Sequence, residues 1–269
     1  MKVVLFCGGL GTRIREYPEP VPKPMIPIGH EPILWHLMKY YSHYGHRDFV
    51  LCMGYKADVI KRFFLDYRPQ MYADCVVSGH GARVEMLEGP QDDWRVALID
   101  TGIWRNIGQR LWAVRNQVNK EEMFLANYSD GLADVDLNEM ISRFKASGKV
   151  ACFLAVHPPV TFHMADIDAS GRVQALRGSD ESDIWINGGF FIMRPEIFDY
   201  MEDGEELVVE PFRRLIADDK LLAYKHVGFW RAMDTLRDRQ VLEAMIERGQ
   251  TPWRVAGPTA GVQTMEMTS

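Results

Sequence analysis

Short apolar runs alternate along this chain with longer stretches in which apolar residues recur every three or four positions. Residues 2–6, with Val3-Val4-Leu5-Phe6, read as a buried strand, and residues 48–53, 96–100, 122–126 and 150–157 repeat the pattern. Between them, Pro32 opens a helical stretch running to Tyr41, a place where proline suits the first turn. Residues 57–67 put Val59, Ile60, Phe63 and Phe64 at helical spacing, and 108–118 and 137–147 read as further helices. This alternation predicts an α/β protein with a mostly parallel sheet. After residue 158 the order changes. Residues 165–168, a turn at Gly171 and residues 173–176 form a hairpin pattern. Residues 185–193 read as a strand interrupted by Gly188-Gly189, which marks a bulge or a close backbone approach. A strand at 221–226 and a helix at 235–248 follow. No repeat or linker composition divides the chain, so residues 1–256 are expected to form one domain and 257–269, small and polar, a disordered tail.

Composition narrows the function classes. The formal net charge of −6 argues against a general binder of nucleic acid or of anionic membrane, both of which need basic surface. No stretch approaches the length that spans a bilayer, and the N-terminal apolar run is too short for a signal peptide. Cys7, Cys52, Cys75 and Cys152 are widely spaced; three of them, Cys7, Cys52 and Cys152, sit inside apolar runs. They read as buried, reduced thiols of a cytoplasmic protein, not as a disulfide frame or a zinc site.

The candidate chemistry starts where the first strand ends. Val3-Val4-Leu5-Phe6 breaks into Cys7-Gly8-Gly9-Leu10-Gly11-Thr12-Arg13. Glycines let the backbone approach an anion and aim several N–H groups at it, and Arg13 adds a planar cationic fork. Lys23 follows between Pro22 and Pro24, which limit its freedom. A tight turn with a surface arginine explains the glycines alone; their place after the first strand, with Lys23 close behind, favours a phosphate cradle. It is neither a Walker loop, which would end Gly-Lys-Ser/Thr, nor the dinucleotide fingerprint G-x-G-x-x-G.

Two carboxylates fall where ligands of open α/β sheets bind, beyond strand ends. Asp130 follows the 122–126 strand and Asp234 precedes the last helix. With a phosphate cradle they suggest Mg²⁺, which takes a few carboxylates and leaves the remaining positions to water and phosphate. Spacing alone fits simpler roles: Asp234 as the N-cap of the last helix, Asp130-Gly131 and Asp100-Thr101-Gly102 as turns. Asp134-Val135-Asp136 matches the D-x-D of glycosyltransferases in spacing, but it stands at a helix start, where Asp is a cap. His36, on the apolar face of its helix, reads as a packed core histidine.

Together these segments resemble the sugar-1-phosphate nucleotidyltransferases, nearest the cytidylyltransferase members. The resemblance is carried by Gly8 to Arg13, Lys23-Pro24-Met25, Pro32-Ile33-Leu34-Trp35-His36, Gly54-Tyr55-Lys56 and Asp100-Thr101-Gly102. It continues in Asp130-Gly131, Ile186-Asn187-Gly188-Gly189-Phe190-Phe191, Gly228-Phe229-Trp230 and Met233-Asp234-Thr235-Leu236-Arg237-Asp238. It implies a three-layer nucleotide-binding core with a mostly parallel mixed sheet and an elaborated sugar-binding second half, assembled as a homo-oligomer. It implies that a nucleoside triphosphate, with CTP favoured, is joined to a sugar 1-phosphate by in-line attack on the α-phosphorus, releasing pyrophosphate. Gly8, Gly9, Gly11, Thr12, Arg13 and Lys23 would hold the triphosphate, with Arg13 and Lys23 as the catalytic cations. Asp130 and Asp234 would hold Mg²⁺; Tyr55, Lys56, Asn187 and Gly188 would lie against the substrates.

Three departures bear on the sugar side. The family's Glu-Lys-Pro, whose lysine binds the sugar phosphate, is replaced around Ser179, beside Asp180, Glu181 and Asp183. Arg177 is the nearest base and a candidate substitute. The family's glycine before the metal-binding aspartate is Ser129, which could narrow the space there, and Arg-Phe-Gly is replaced by Thr161-Phe162-His163. The sugar therefore need not be glucose 1-phosphate, and the alternative is a non-catalytic nucleotide-binding or regulatory relative.

Overall fold

A computed structural model describes residues 1–11, 14, 21–68, 75–80, 83–87, 93–159, 164–178 and 184–254. Thr12, Arg13, Thr161, Phe162, His163, Ser179, Asp180, Glu181, Asp183 and the 257–269 segment lie outside the described residues.

Seven strands form the central sheet: β1 (Lys2–Cys7), β2 (Asp48–Met53), β3 (Arg95–Asp100), β4 (Phe124–Asn127), β5 (Ala151–Val156), β6 (Ile186–Met193) and β7 (Leu221–His226). Their spatial order is β7-β5-β6-β4-β1-β2-β3. Every neighbouring pair is parallel except those of β6, which runs antiparallel to β4 and β5. Chain order reverses at β1, which pairs with β2 on one side and β4 on the other. That junction is the topological switch point, where a sheet of this kind opens a crevice beyond its strand ends.

Both faces of the sheet are covered, so the strands read as continuous apolar runs. Val3, Leu5 and Cys7 pack with α1 (Ile33–His43) and α5 (Leu137–Ser147) through Leu34, Met38, Met140 and Phe144. Val4 and Phe6 face the other way, with Leu111 of α3 (Ile107–Ala113) and Phe212 and Leu215 of α6 (Glu210–Ala217). The result is the expected three layers. Residues 57–67 give α2 (Ala57–Leu65), and the last helix is α7 (Leu236–Glu247). The helix expected over 108–118 is two, α3 and α4 (Arg115–Val118), separated at Val114. Two short elements carry too little periodicity to have been legible, the 3₁₀ turn Lys23–Met25 and the ribbon of Gly131–Ala133 with Trp230–Ala232, whereas α6 is clearly one-sided but spans only eight residues, too few to stand out by pattern. The expected hairpin forms from Met164–Ile167 and Val173–Arg177.

The double glycine is a bulge. Register between β5 and β6 shifts between Phe153 and Ala155. Gly189 has φ +77°, and a Cβ there would stand 2.7 Å from the Tyr128 ring. Cys7, Cys52 and Cys152 are buried free thiols; burial pushes Cys7 and Cys152 up to about 12, far from thiolate chemistry at neutral pH. Among the described residues no helix is long and apolar enough to cross a membrane.

His36 is the core residue its position predicts. It is 4% exposed, and its Nε2 donates to the Ile28 carbonyl at 3.0 Å. Burial, the dominant cause, lowers its pKa to about 4 from 6.5. Between these values the unfolded chain takes up a proton that the folded chain refuses, so stability falls as pH falls through that window. We expect His36 to account for about 2 kcal/mol of lost stability by pH 4.5. Urea midpoints of wild type and His36→Gln across pH 7 to 4.5 will check this: the variant should lose less over that range. Equal losses would place the acid sensitivity elsewhere.

Candidate active site

A cavity of about 360 Å³ opens at the switch point. Its floor is Phe6 at the end of β1 and Tyr128-Ser129-Asp130 after β4. Gly9 and Gly11 of the glycine loop line it, with Lys23 and Asp234 on one side and Arg105, Asn106, Ile107, Arg110 and Glu206 also in its wall.

The centre of the site is a charge bridge. Lys23 Nζ donates to Asp130 Oδ2 and to Asp234 Oδ1, both at 2.6 Å. Three local structures set it up. The Pro22-Lys23-Pro24 turn is a single 3₁₀ turn closed by Met25 N–H to the Pro22 carbonyl, which fixes the root of the lysine. The ribbon pairs Gly131 with Ala232 and Ala133 with Trp230, and Met233 N–H reaches the Asp130 carbonyl at 2.8 Å. Two aspartates far apart in sequence are thereby laid side by side. The helix cap is Thr235, not Asp234: its hydroxyl accepts from Asp238 N–H, and the Asp238 carboxylate answers the Thr235 N–H. Asp234, one residue before the cap, is left to face Lys23. The simple N-cap reading of Asp234 is thus corrected. Asp136 does take the role expected of it, capping α5 through Glu139 N–H.

The glycine loop is fastened from below by Arg110, which the sequence pattern does not single out. This arginine is 2% exposed. Its guanidinium donates to the carbonyls of Gly8, Met53, Gly102 and Ile103 and to Thr101 Oγ1, at 2.7–3.2 Å. It ties the ends of β1, β2 and β3 together. A Cβ at position 8 would fall 2.0 Å from Arg110 Nη1, so glycine is required there by this packing. Gly11 has φ +60°, and a Cβ there would touch the Cβ of Lys23 at 3.3 Å, so loop and lysine are packed against one another. Gly9 meets nothing and is open to a ligand.

Ser129 has φ +64° and is fully buried. A left-handed backbone is why glycine suits the position; here serine carries the strain, and its hydroxyl donates to the Phe6 carbonyl at 2.7 Å. Its oxygen is thereby turned to β1.

None of the remaining described candidates lines the cavity. Tyr55 N–H donates to the Gly8 carbonyl at 3.3 Å, and the Lys56 ammonium lies 5.8 Å from the Tyr55 ring centre. Asn187 Nδ2 donates to the hydroxyl of Tyr128, which does line it, and the Gly188 carbonyl accepts from Trp230 Nε1 at 2.8 Å. Arg177 stands apart on the hairpin, half exposed and paired with Asp166 at 2.7 Å.

No described group of three or more His, Cys, Asp or Glu side chains could hold a metal. The two aspartates nonetheless converge on one cation, Lys23 Nζ. A pair of carboxylates is the number Mg²⁺ takes when phosphates and water complete its shell, so the donor set fits that ion.

The family profile described as nucleotidyl transferase matches residues 2–235. Glucose-1-phosphate cytidylyltransferase of Salmonella typhi is 42% identical over 94% of this chain and 99% of its own length. D-glycero-alpha-D-manno-heptose 1-phosphate guanylyltransferase of Campylobacter jejuni is 28% identical over 79% of this chain and 84% of its own. Among solved structures, HddC from Yersinia pseudotuberculosis complexed with GMP-PN superposes with a TM-score of 0.63 at 18% identity, covering 91% of this chain and 99% of that one, a likeness of fold. On the profile match, the 42% relative and the seven-stranded sheet with its site at the switch point, the chain belongs to the nucleotidyl transferase family.

Proposed function

We propose that this protein joins CTP to a sugar 1-phosphate, giving a CDP-sugar and pyrophosphate. The observation that carries the reading is the lysine held between two aspartates beside a glycine loop. The choice of CTP follows the cytidylyltransferase from Salmonella typhi.

In this reaction an oxygen of the sugar phosphate attacks the α-phosphorus in line. The bond from that phosphorus to the oxygen bridging the β-phosphate breaks, and pyrophosphate leaves. No protein nucleophile is needed; positioning and charge neutralisation carry the rate. The open backbone at Gly9 and the turn at Gly11 face the triphosphate, and Thr12 and Arg13, next in sequence, are further ligands for it. Asp130 and Asp234 would hold Mg²⁺, which would supply positive charge to offset that of the phosphates. Lys23 neutralises charge that grows on the α-phosphate, and to do so it loosens its hold on the two aspartates. Asn187 and Gly188 take the sugar edge, and Tyr55 and Lys56 the rim near Gly8. Arg177 serves the sugar phosphate only by exchanging its Asp166 partner. With Ser179 in place of the family lysine, the sugar need not be glucose.

A matrix of nucleoside triphosphates against sugar 1-phosphates, read by pyrophosphate release, tests this reading. CTP should lead among nucleotides, and the same matrix shows whether glucose 1-phosphate or another sugar phosphate leads among sugars. Nucleotide binding without pyrophosphate release on any sugar would overturn the enzyme reading. Lys23→Ala should lower kcat by roughly 10²–10³-fold with a much smaller effect on KM for CTP, because its charge counts most in the transition state. A kcat within a fewfold of wild type would remove Lys23 from the mechanism. Asp234 and its neighbour Thr235 should separate cleanly. Asp234→Asn should abolish Mg²⁺-dependent turnover with the fold intact, whereas Thr235→Ala should cost about 1 kcal/mol of stability and keep turnover. The reverse pattern in thermal melts and assays would make Asp234 structural.

A further inference from the structure

Glu206 is the carboxylate in the cavity wall that the phosphate chemistry does not use. It arrives from the segment before α6, which is docked on the first turn of α3. Asn106 Nδ2 donates to the Gly204 carbonyl at 2.9 Å, and a Cβ on Gly108 would meet the Glu205 carbonyl at 2.3 Å. Glu206 therefore belongs to the α3 wall, whereas Lys23, Asp130 and Asp234 come from the β1, β4 and ribbon side. Its carboxylate accepts the backbone N–H groups of Ile107 and Leu207, the latter at 3.1 Å. Among the described residues no lysine or arginine pairs with it. Arg110, one turn along α3, is committed to its carbonyl and hydroxyl acceptors.

A half-buried, unneutralised carboxylate in the wall of a cavity that takes a polyanion is unfavourable unless the ligand brings it a hydrogen-bond donor. Two of its roughly four lone-pair positions are filled by backbone N–H, so acceptor capacity remains. The donors of CTP are the exocyclic amine of cytosine and the ribose hydroxyls; those of UTP are the uracil N3–H and the same hydroxyls. A carboxylate is the natural acceptor for the amine of cytosine, and it opposes the carbonyl that uracil presents at the same ring position.

We propose that Glu206 reads the base, accepting a hydrogen bond from the exocyclic amine of cytosine and so favouring CTP over UTP. The inference rests on the reading of this cavity as a CTP site. Glu206 touches no reacting atom, so its effect falls on nucleotide KM and not on kcat.

The test compares kcat and KM for CTP, UTP and 2′-deoxy-CTP in wild type and Glu206→Gln. Glutamine keeps an acceptor for the Ile107 and Leu207 N–H groups and adds a donor suited to the uracil carbonyl. The CTP-to-UTP ratio of kcat/KM should fall roughly 10- to 100-fold, chiefly through KM, with the melting temperature little changed. Glu206→Asp, which keeps the charge but retracts it, should fall between the two. An unchanged ratio in both variants would make Glu206 a brace for α3 alone and overturn the proposal. A wild-type penalty against 2′-deoxy-CTP that vanishes in Glu206→Gln, with the CTP-to-UTP ratio intact, would overturn it in favour of the ribose. If Glu206→Gln fails to fold, the Glu206→Asp ratio and calorimetric affinities of wild type for CTP and UTP decide; equal affinities overturn the proposal. Wild type that neither binds nor turns over CTP would refute the cytidylyltransferase reading itself.

Discussion

The site depends on one interaction: a lysine ammonium shared between two aspartates at 2.6 Å each. Two carboxylates this close repel unless a cation stands with them, and their side chains are only 21% and 31% exposed, so water screens them incompletely. Lys23, 11% exposed, supplies the cation. Such a cluster costs desolvation and is weak evidence of stability for its own sake. Its value is positional: it holds three chain segments in register around one point. The ribbon of Gly131–Ala133 with Trp230–Ala232, the cap at Thr235 and the proline-bound turn at Lys23 each fix one participant.

Beneath this centre, Arg110 does for the backbone what Lys23 does for the carboxylates. Parallel strands end with carbonyls pointing out of the sheet, and at a switch point their loops diverge. One guanidinium collects the carbonyls of Gly8, Met53, Gly102 and Ile103 and so joins three loops. Arginine suits this because its fork presents five donors in a fixed plane. The glycine at position 8 is then explained by packing: the guanidinium occupies the space a Cβ would need.

Much of the fold was legible because its central strands are buried on both faces and its edge strands and helices keep a regular apolar pattern. Strands 48–53 and 221–226 and helix 137–147 fall where periodicity places them. What was not legible has a physical reason in each case. The break at Val114 leaves the apolar spacing of α3 and α4 continuous, so periodicity sees one helix. Asp234 and Thr235 both cap well, and adjacent capping residues cannot be ranked by spacing; the reciprocal Thr235–Asp238 bonds decide. Arg110 and Glu206 come from a short helix and an irregular segment, and neither stands in a motif. A buried arginine among carbonyls leaves no periodic trace. Ser129 did leave a trace, as a serine where glycine is expected, but only the backbone reveals that the cost lies in a left-handed φ.

The charge of the cavity wall says how the ligand must arrive. Lys23, Arg105 and Arg110 are balanced by Asp130, Asp234 and Glu206, so the described wall is formally neutral. Moreover, Lys23 and Arg110 are already spent on protein acceptors. A triphosphate entering such a wall gains little net attraction from it. On the proposed function, the missing positive charge would enter with the nucleotide, as a divalent ion bound to its phosphates, or from outside the described residues. A cation held by Asp130 and Asp234 would compete with Lys23 for the same carboxylates. One event would then provide, on the same proposal, both the charge that holds the phosphates and the free ammonium. On that reading, the neutral wall would couple nucleotide binding to the release of Lys23 from its two carboxylates.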